Sequence, residues 1–232
     1  MRVAIVTFPG SNCDRDAQHV LTAVMGVGTD LVRHDVTHLA GYDAVVLPGG
    51  FSYGDYLRTG ALAAHTPVMA AVRVAARRGV PVLGICNGFQ VLLEAQLLPG
   101  AMIKNADLAF HCGWVHLRAE GPATPFTSAA PRDRVLRMPI AHGEGSYHAD
   151  SSLLATLEAE GRIVFRYCDA EGRVTPTANP NGSVASIAGI CDERRNVVAL
   201  MPHPERCSEP ELGGTDGLVI WESLLGAAAV AA

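Results

Sequence analysis

A cysteine stands between two glycines in Gly84-Ile85-Cys86-Asn87-Gly88, directly after the apolar run Val80-Pro81-Val82-Leu83. Glycines two positions either side of Cys86 permit a tight, strained strand-to-helix turn that lifts the thiol clear of the sheet edge with no bulky neighbour over it. A helix beginning just after it would aim free N–H groups and a dipole at the sulfur, favouring thiolate over thiol. The same residue would also serve as a small buried hydrophobe in such a turn. Met201-Pro202-His203-Pro204-Glu205, after a second apolar run Val197-Val198-Ala199-Leu200, weighs for the chemistry. A thiol nucleophile needs an imidazole to move protons to the leaving group and from water, and the imidazole needs a third group to set its tautomer. His203 and Glu205 offer both, and the flanking prolines predict a rigid, non-helical tip that presents the ring in one orientation. A Pro-rich surface turn that merely holds one of nine histidines is the competing reading.

Both segments fall where a strand should end, which is where open α/β sheets bind ligands. So does Pro48-Gly49-Gly50-Phe51-Ser52-Tyr53-Gly54-Asp55, after the run Ala44–Leu47. Paired glycines there could turn the Gly50 N–H toward a developing oxyanion, with the N–H of Asn87 as second donor.

The elements that must position these groups follow from periodicity. Arg2–Phe8 is a continuous apolar strand of the kind buried on both faces. After a Pro-Gly-Ser-Asn turn, Ala17, Val20, Leu21, Val24 and Met25 recur at helical spacing, with Asp14 and Asp16 in the first turn. Asp30–Arg33 and Ala44–Leu47 read as strands, Val68 to Ala75 as a helix, and the segment from Cys86 to Pro99-Gly100 as another. Strand and helix in alternation imply a parallel sheet with right-handed crossovers. The second half has shorter strand patterns with long polar connections: Trp114–Arg118, Val135–Ala141, Ile163–Tyr167, Ser186–Ile190 and Val197–Met201. The later sheet is therefore expected to be mixed and partly antiparallel. Ser151–Glu160 reads as a helix capped by Asp150 or Ser151, and Thr215–Leu225 as a closing helix before a frayed Ala-rich tail. A single domain over residues 1–232 is expected.

A net charge of −5 and the lack of any Lys/Arg run argue against a nucleic-acid protein, and Arg77-Arg78 and Arg194-Arg195 read as solvated pairs. No apolar run reaches the ~18 residues of a spanning helix, and the N-terminus reads directly into a strand with no leader, so a cytoplasmic location is expected. Six scattered cysteines without C-x-x-C spacing predict reduced thiols and no zinc site. Cys168 and Cys191 are expected in the core, and Cys13, in the first strand-to-helix loop, exposed near the site.

With Cys86 in its glycine turn, the glycine loop before it and His203-Pro-Glu205 after it, the chain resembles the class I, or triad, glutamine amidotransferases. Thr7-Phe8-Pro9-Gly10-Ser11-Asn12-Cys13-Asp14, Phe51-Ser52-Tyr53-Gly54-Asp55, Ala141-His142-Gly143-Glu144-Gly145 and Pro202-His203-Pro204-Glu205-Arg206 narrow the likeness to the glutaminase subunits of phosphoribosylformylglycinamidine synthase, in purine biosynthesis. Phe110-His111-Cys112-Gly113-Trp114 departs from that pattern at Gly113, where a basic residue is expected. The resemblance implies a flavodoxin-like three-layer sandwich with a mostly parallel central sheet. It implies Cys86, His203 and Glu205 as the catalytic triad, Gly50 and Asn87 as oxyanion donors, and Gln90, Gly143, Gly145 and Tyr147 as contacts to glutamine. His142 and Glu144 are then part of a binding strand rather than a second triad.

Ammonia would pass to a PurL-type synthetase that activates formylglycinamide ribonucleotide with ATP and Mg²⁺, with a small PurS-type subunit as a further partner. This chain has no G-x-x-x-x-G-K-[ST] loop, and neither a cofactor nor a metal is expected on it. The residues leave open an amidotransferase of another pathway, a related cysteine hydrolase, and a catalytically silent scaffold. In related cysteine hydrolases the histidine usually follows soon after the cysteine, whereas here it lies near the other end of the chain.

Overall fold

The computed structural model describes the backbone of residues 1–132 and 134–231, and side chains as far as residue 228. β1 (Arg2–Thr7), β2 (Gly28–Arg33), β3 (Ala44–Leu47) and β4 (Val82–Ile85) are all parallel, in the order β2-β1-β3-β4. α1 (Asp14–His19, continued by a π-helical turn over Val20–Val24) leads from β1 to β2, and α2 (Pro67–Arg77) from β3 to β4. The two crossovers step in opposite directions along the sheet, so right-handedness places α1 and α2 on opposite faces. With both faces covered, Val3–Val6, Ala44–Leu47, Val82, Leu83 and Ile85 are fully buried, which is why these strands read as unbroken apolar runs. This strand order is flavodoxin-like.

α3 (Asn87–Glu94) follows β4. The remaining elements are β5 (Ala101–Ile103), β6 (His111–Ala119), β7 (Leu136–His142), β8 (Ser146–His148), α4 (Ser151–Ala159), β9 (Ile163–Cys168), β10 (Ile187–Cys191), β11 (Val197–Leu200) and α5 (Leu218–Ala231). The full sheet has nine strands in the order β2-β1-β3-β4-β11-β10-β9-β6-β7. β11 is parallel to β4, and every pairing beyond it is antiparallel. The mixed, partly antiparallel second half is thus as expected.

Several boundaries differ from the sequence reading. α3 stops at Glu94 rather than running to Pro99, because Gln96 takes a left-handed conformation (φ 54°) and Leu97 and Leu98 fold back to the Leu92 carbonyl. α4 is capped by Asp150, which accepts the Leu153 N–H at 2.8 Å. α5 starts at Leu218 and continues through the Ala-rich segment to Ala231 instead of fraying after Leu225. The antiparallel pair β5 and β8 went unread, since three residues carry no detectable alternation.

Candidate active site

Three loops converge at one edge of the sheet because β3, β4 and β11 are adjacent and parallel, so their C-terminal ends lie side by side within about two strand spacings of ~4.8 Å. Cys86 sits at the N-cap of α3 with φ 50° and ψ −104°, a strained conformation for a residue bearing a side chain. Its N–H donates to the Leu200 carbonyl of β11 at 2.9 Å, tying the turn to the strand that carries the histidine. The flanking glycines are required by contact. A Cβ at Gly84 would lie 2.5 Å from Leu92 Cδ1, and one at Gly88 would lie 2.0 Å from the Leu47 carbonyl oxygen.

His203 leaves β11 in an extended conformation, and Pro204 then opens a single 3₁₀ turn, Pro204–Arg206, that carries Glu205. The tip is therefore rigid but not wholly non-helical: proline at the first position of a helical turn loses only an N–H that would have had no partner. His203 Nδ1 and Glu205 Oε1 are 2.5 Å apart, both residues at most 2 % exposed. Burial works against a charged imidazole, but Glu205, Cys86 and Cys13 outweigh it and hold His203 well above its ordinary pKa. With Nδ1 committed to Glu205, Nε2 is the nitrogen left for Cys86, and it has no hydrogen-bond partner among the described residues.

The antiparallel half curls back so that its edge strand β7 covers this corner. The His203 N–H donates to the Pro139 carbonyl at 2.8 Å, and Cys86 Sγ lies 3.7 Å from the Ala141 carbonyl. Between β7 and the glycine loop a cavity of about 380 Å³ opens onto Cys86, lined also by Gly50, Asp55, Thr59, Gln90, Lys104 and Glu144. Asn87, as the first residue of α3, has an N–H with no acceptor inside the helix. Gly50 holds φ +145° because the Ser11-Asn12 backbone presses on it: a Cβ there would lie 2.8 Å from the Asn12 nitrogen. Asp55 also has positive φ, and burial followed by the nearby Glu144 pushes its carboxyl up to about 6.

A comparison of the sequence with protein families matches residues 1–212 to the CobB/CobQ-like glutamine amidotransferase domain. Phosphoribosylformylglycinamidine synthase subunit PurQ of Moorella thermoacetica is 55% identical, over 97% of this chain and 95% of the relative, and that of Thermomicrobium roseum is 56% identical over the same shares. The chain belongs to the PurQ family of glutamine amidotransferases. A solved PurLQS structure from Thermotoga maritima superposes with a TM-score of 0.85 at 43% identity, covering 97% of both chains. The glutaminase domain of Trypanosoma brucei CTPS, at 15% identity and a TM-score of 0.59, shares the fold.

The PurQ-family residues expected from the sequence are not all placed at the cavity. Cys86, Gly50, Gln90 and Gly143 line it, while His203 and Glu205 do not but are buried, with His203 close enough to Cys86 to feel its charge. Gln90 is already engaged, donating to the Glu144 carbonyl at 2.6 Å and accepting from Asn87 Nδ2 at 2.9 Å, so it shapes the wall. Gly145 and Tyr147 do not reach the cavity. The Gly145 N–H donates to Asn105 and its carbonyl accepts from Asn181 and Ser183, while Tyr147 pairs in β8, donates its N–H to Ser183 and its hydroxyl to the Pro99 carbonyl. Gly145 is needed for another reason: a Cβ would strike the His142 ring at 2.3 Å. His142 is buried, and burial followed by the field of His203 lowers it to about 4, so it stays neutral. Cys13 lies near the site as expected but is buried rather than exposed.

Asp55, Thr59 and Lys104 were not singled out from the sequence, although Asp55 lay within a recognised block. Thr59 Oγ1 donates to Glu144 Oε2 at 2.9 Å. Gly113 is exposed, with no atom within 4 Å of a Cβ built there, so a basic side chain would fit without strain. One trio could in principle ligate a metal, since Cys13 Sγ, a His203 nitrogen and a Glu205 oxygen lie within 4.8 Å of one another. Its donor atoms are already committed to Arg206 and to the His203–Glu205 bond. Among the described residues no helix is long and apolar enough to cross a membrane.

Proposed function

We propose that this chain is the glutaminase subunit of phosphoribosylformylglycinamidine synthase, releasing ammonia from glutamine at Cys86. The observation that carries this reading is a cysteine in a strained turn, in the wall of an amino-acid-sized cavity, backed by an imidazole whose Nδ1 is committed to a buried carboxylate. The thiolate attacks the side-chain amide carbon of glutamine. The resulting oxyanion is held by the N–H groups of Gly50 and Asn87, a contribution of roughly 3–4 kcal/mol per donor. His203, oriented by Glu205, gives its proton to the departing nitrogen, leaving ammonia and a γ-glutamyl thioester. It then takes a proton from water, whose oxygen displaces the sulfur to yield glutamate.

The cavity suits a zwitterion. The Asp55 and Glu144 carboxylates that border it would take the α-ammonium group and Lys104 the α-carboxylate. Ammonia passes to a PurL-type synthetase that uses ATP and Mg²⁺ to convert formylglycinamide ribonucleotide to formylglycinamidine ribonucleotide, with a small PurS-type subunit in the complex, in the cytoplasm. The name PurLQS of the Thermotoga maritima assembly supports that partnership. Unproductive hydrolysis is avoided by low glutaminase activity in the free subunit and activation on docking.

The test is glutamine-dependent amidination of formylglycinamide ribonucleotide by the synthetase with and without this chain. Free ammonium should support the synthetase alone, and glutamine should work only when the chain is present. Glutamine use without it, or an equal glutaminase rate with and without the synthetase, would overturn the respective claim.

A further inference from the structure

Among the described residues the catalytic imidazole has one hydrogen-bonded tether, from Nδ1 to Glu205. A single bond leaves a ring free to pivot about the bond axis, and the terminal torsion of histidine is itself broad. Packing must therefore set the ring plane. The groups that bear on it are Glu205 in its own turn, Cys86 in front, His142 on β7, and, from the loop after β1, Cys13. Gly49 completes the enclosure: a Cβ there would lie 2.7 Å from His203 Cε1 and 3.1 Å from Cys13 Sγ, so the loop backbone packs against both, and the sulfur lies within 4.8 Å of a His203 ring nitrogen.

Cys13 is not a passive wall. Its sulfur accepts a hydrogen bond from Arg206 Nη2 at 3.0 Å and its thiol faces Asn12 Oδ1 at 3.5 Å. Arg206 in turn donates from Nε to Asp16 of α1 at 3.2 Å, and a second pair, His19 with Glu209 at 2.7 Å, ties the same helix to the segment after the catalytic turn. The turn carrying His203 and Glu205 is thus clamped to α1 at Asp16 and, through the following segment, at His19, with the sulfur beside the Arg206 end of that clamp. Cys13 is not among the residues that line the cavity. We propose that Cys13 is a positioning residue, its sulfur held by Arg206 and Asn12 so as to fix the plane of the His203 imidazole with Nε2 toward Cys86. This rests on the glutaminase reading above.

The test uses the full chain, assayed with its synthetase for glutamine turnover. In parallel, iodoacetamide alkylation of Cys86 is followed against pH by peptide mass spectrometry, so that Cys86 is read separately from the other thiols. Cys13→Ala should lower kcat about tenfold with KM changed less than about twofold, since a small misplacement of a proton carrier acts on the transition state. The midpoint pH of Cys86 alkylation should move by about half a pH unit or more, because a displaced His203 imidazole changes the charge that faces the sulfur. Cys13→Ser should recover part of both. Arg206→Gln, which frees the sulfur without changing its volume, should reproduce the alkylation shift and serves where Cys13→Ala does not fold. An unmoved alkylation midpoint in folded variants, or a kcat loss that only follows melting temperature, overturns the proposal. Cys86→Ser separates the two levels: if it retains glutaminase activity the functional reading itself fails, whereas a dead Cys86→Ser with an unaltered Cys13→Ala sinks only the role of Cys13.

Discussion

Gly88, one residue beyond the start of α3, approaches the carbonyl of Leu47 on β3 so closely that a Cβ would lie 2.0 Å from the oxygen. That contact brings the N-terminus of α3 down between β3 and β4 and sets the height at which Cys86 leaves the sheet.

Gly88→Ala should therefore cost stability and activity together. Overpacking against backbone costs about 1–3 kcal/mol or more, whereas a side chain at Gly113, which meets open space, should change stability by less than about 0.5 kcal/mol. Urea midpoints of Gly88→Ala and Gly113→Lys measure the difference, and equal midpoints would contradict the contact.

Glu205 orients the imidazole from a site that is 1 % exposed. Glu205→Gln keeps the shape but loses the charge that holds His203 up, and kcat for glutamine hydrolysis should fall on the order of 10²-fold or more with little change in KM. A variant within about twofold of the parent would remove Glu205 from the mechanism.

Asp55 titrates near 6 in the folded protein against 3.8 for the free group. Folding thus favours its protonated form: the stability this contributes is complete below the unfolded value and is lost as pH rises through about 6. Asp55→Asn imitates the protonated state, so it should melt higher than the parent at about pH 7.5 and alike at about pH 4. Its KM for glutamine should rise, since it also removes a charge from the cavity. A melting difference that does not change with pH would refute the assignment.

His142 behaves in the opposite sense. Its folded value of about 4 lies below the ordinary 6.5, so the unfolded chain binds the extra proton first, and stability present above about pH 6.5 is lost as pH falls through about 4. His142→Gln should flatten that acid limb in melting curves recorded from about pH 7 to 4. An acid limb of unchanged slope would assign it to other groups.

Much of the site was legible because it is written in local chemistry. Gly84 and Gly88 around Cys86 announce a turn that only glycine can make, and the spacing of His203 and Glu205 lets one 3₁₀ turn join them. The buried parallel strands were equally plain, since β1, β3 and β4 are apolar on both faces. Gly145 and Tyr147 lie off the cavity because a short loop after β7 turns their backbone groups toward Asn105, Asn181 and Ser183, and partners that distant leave no periodic mark. The burial of Cys13 was hidden for the same reason, its neighbours Gly49, His203 and Arg206 being remote in the chain.

Sequence alone determined which residues could react and what each would have to be: a thiol, an imidazole and a carboxylate, each after an apolar run. Tertiary structure decided that they meet. β11, formed near the end of the chain, enters the sheet parallel to β4 and brings His203 beside Cys86, while the curl of the antiparallel half lays β7 over them to close the cavity. Strand neighbours are chosen by how all the apolar faces can be buried at once, and that is a property of the assembled sheet that no single segment carries.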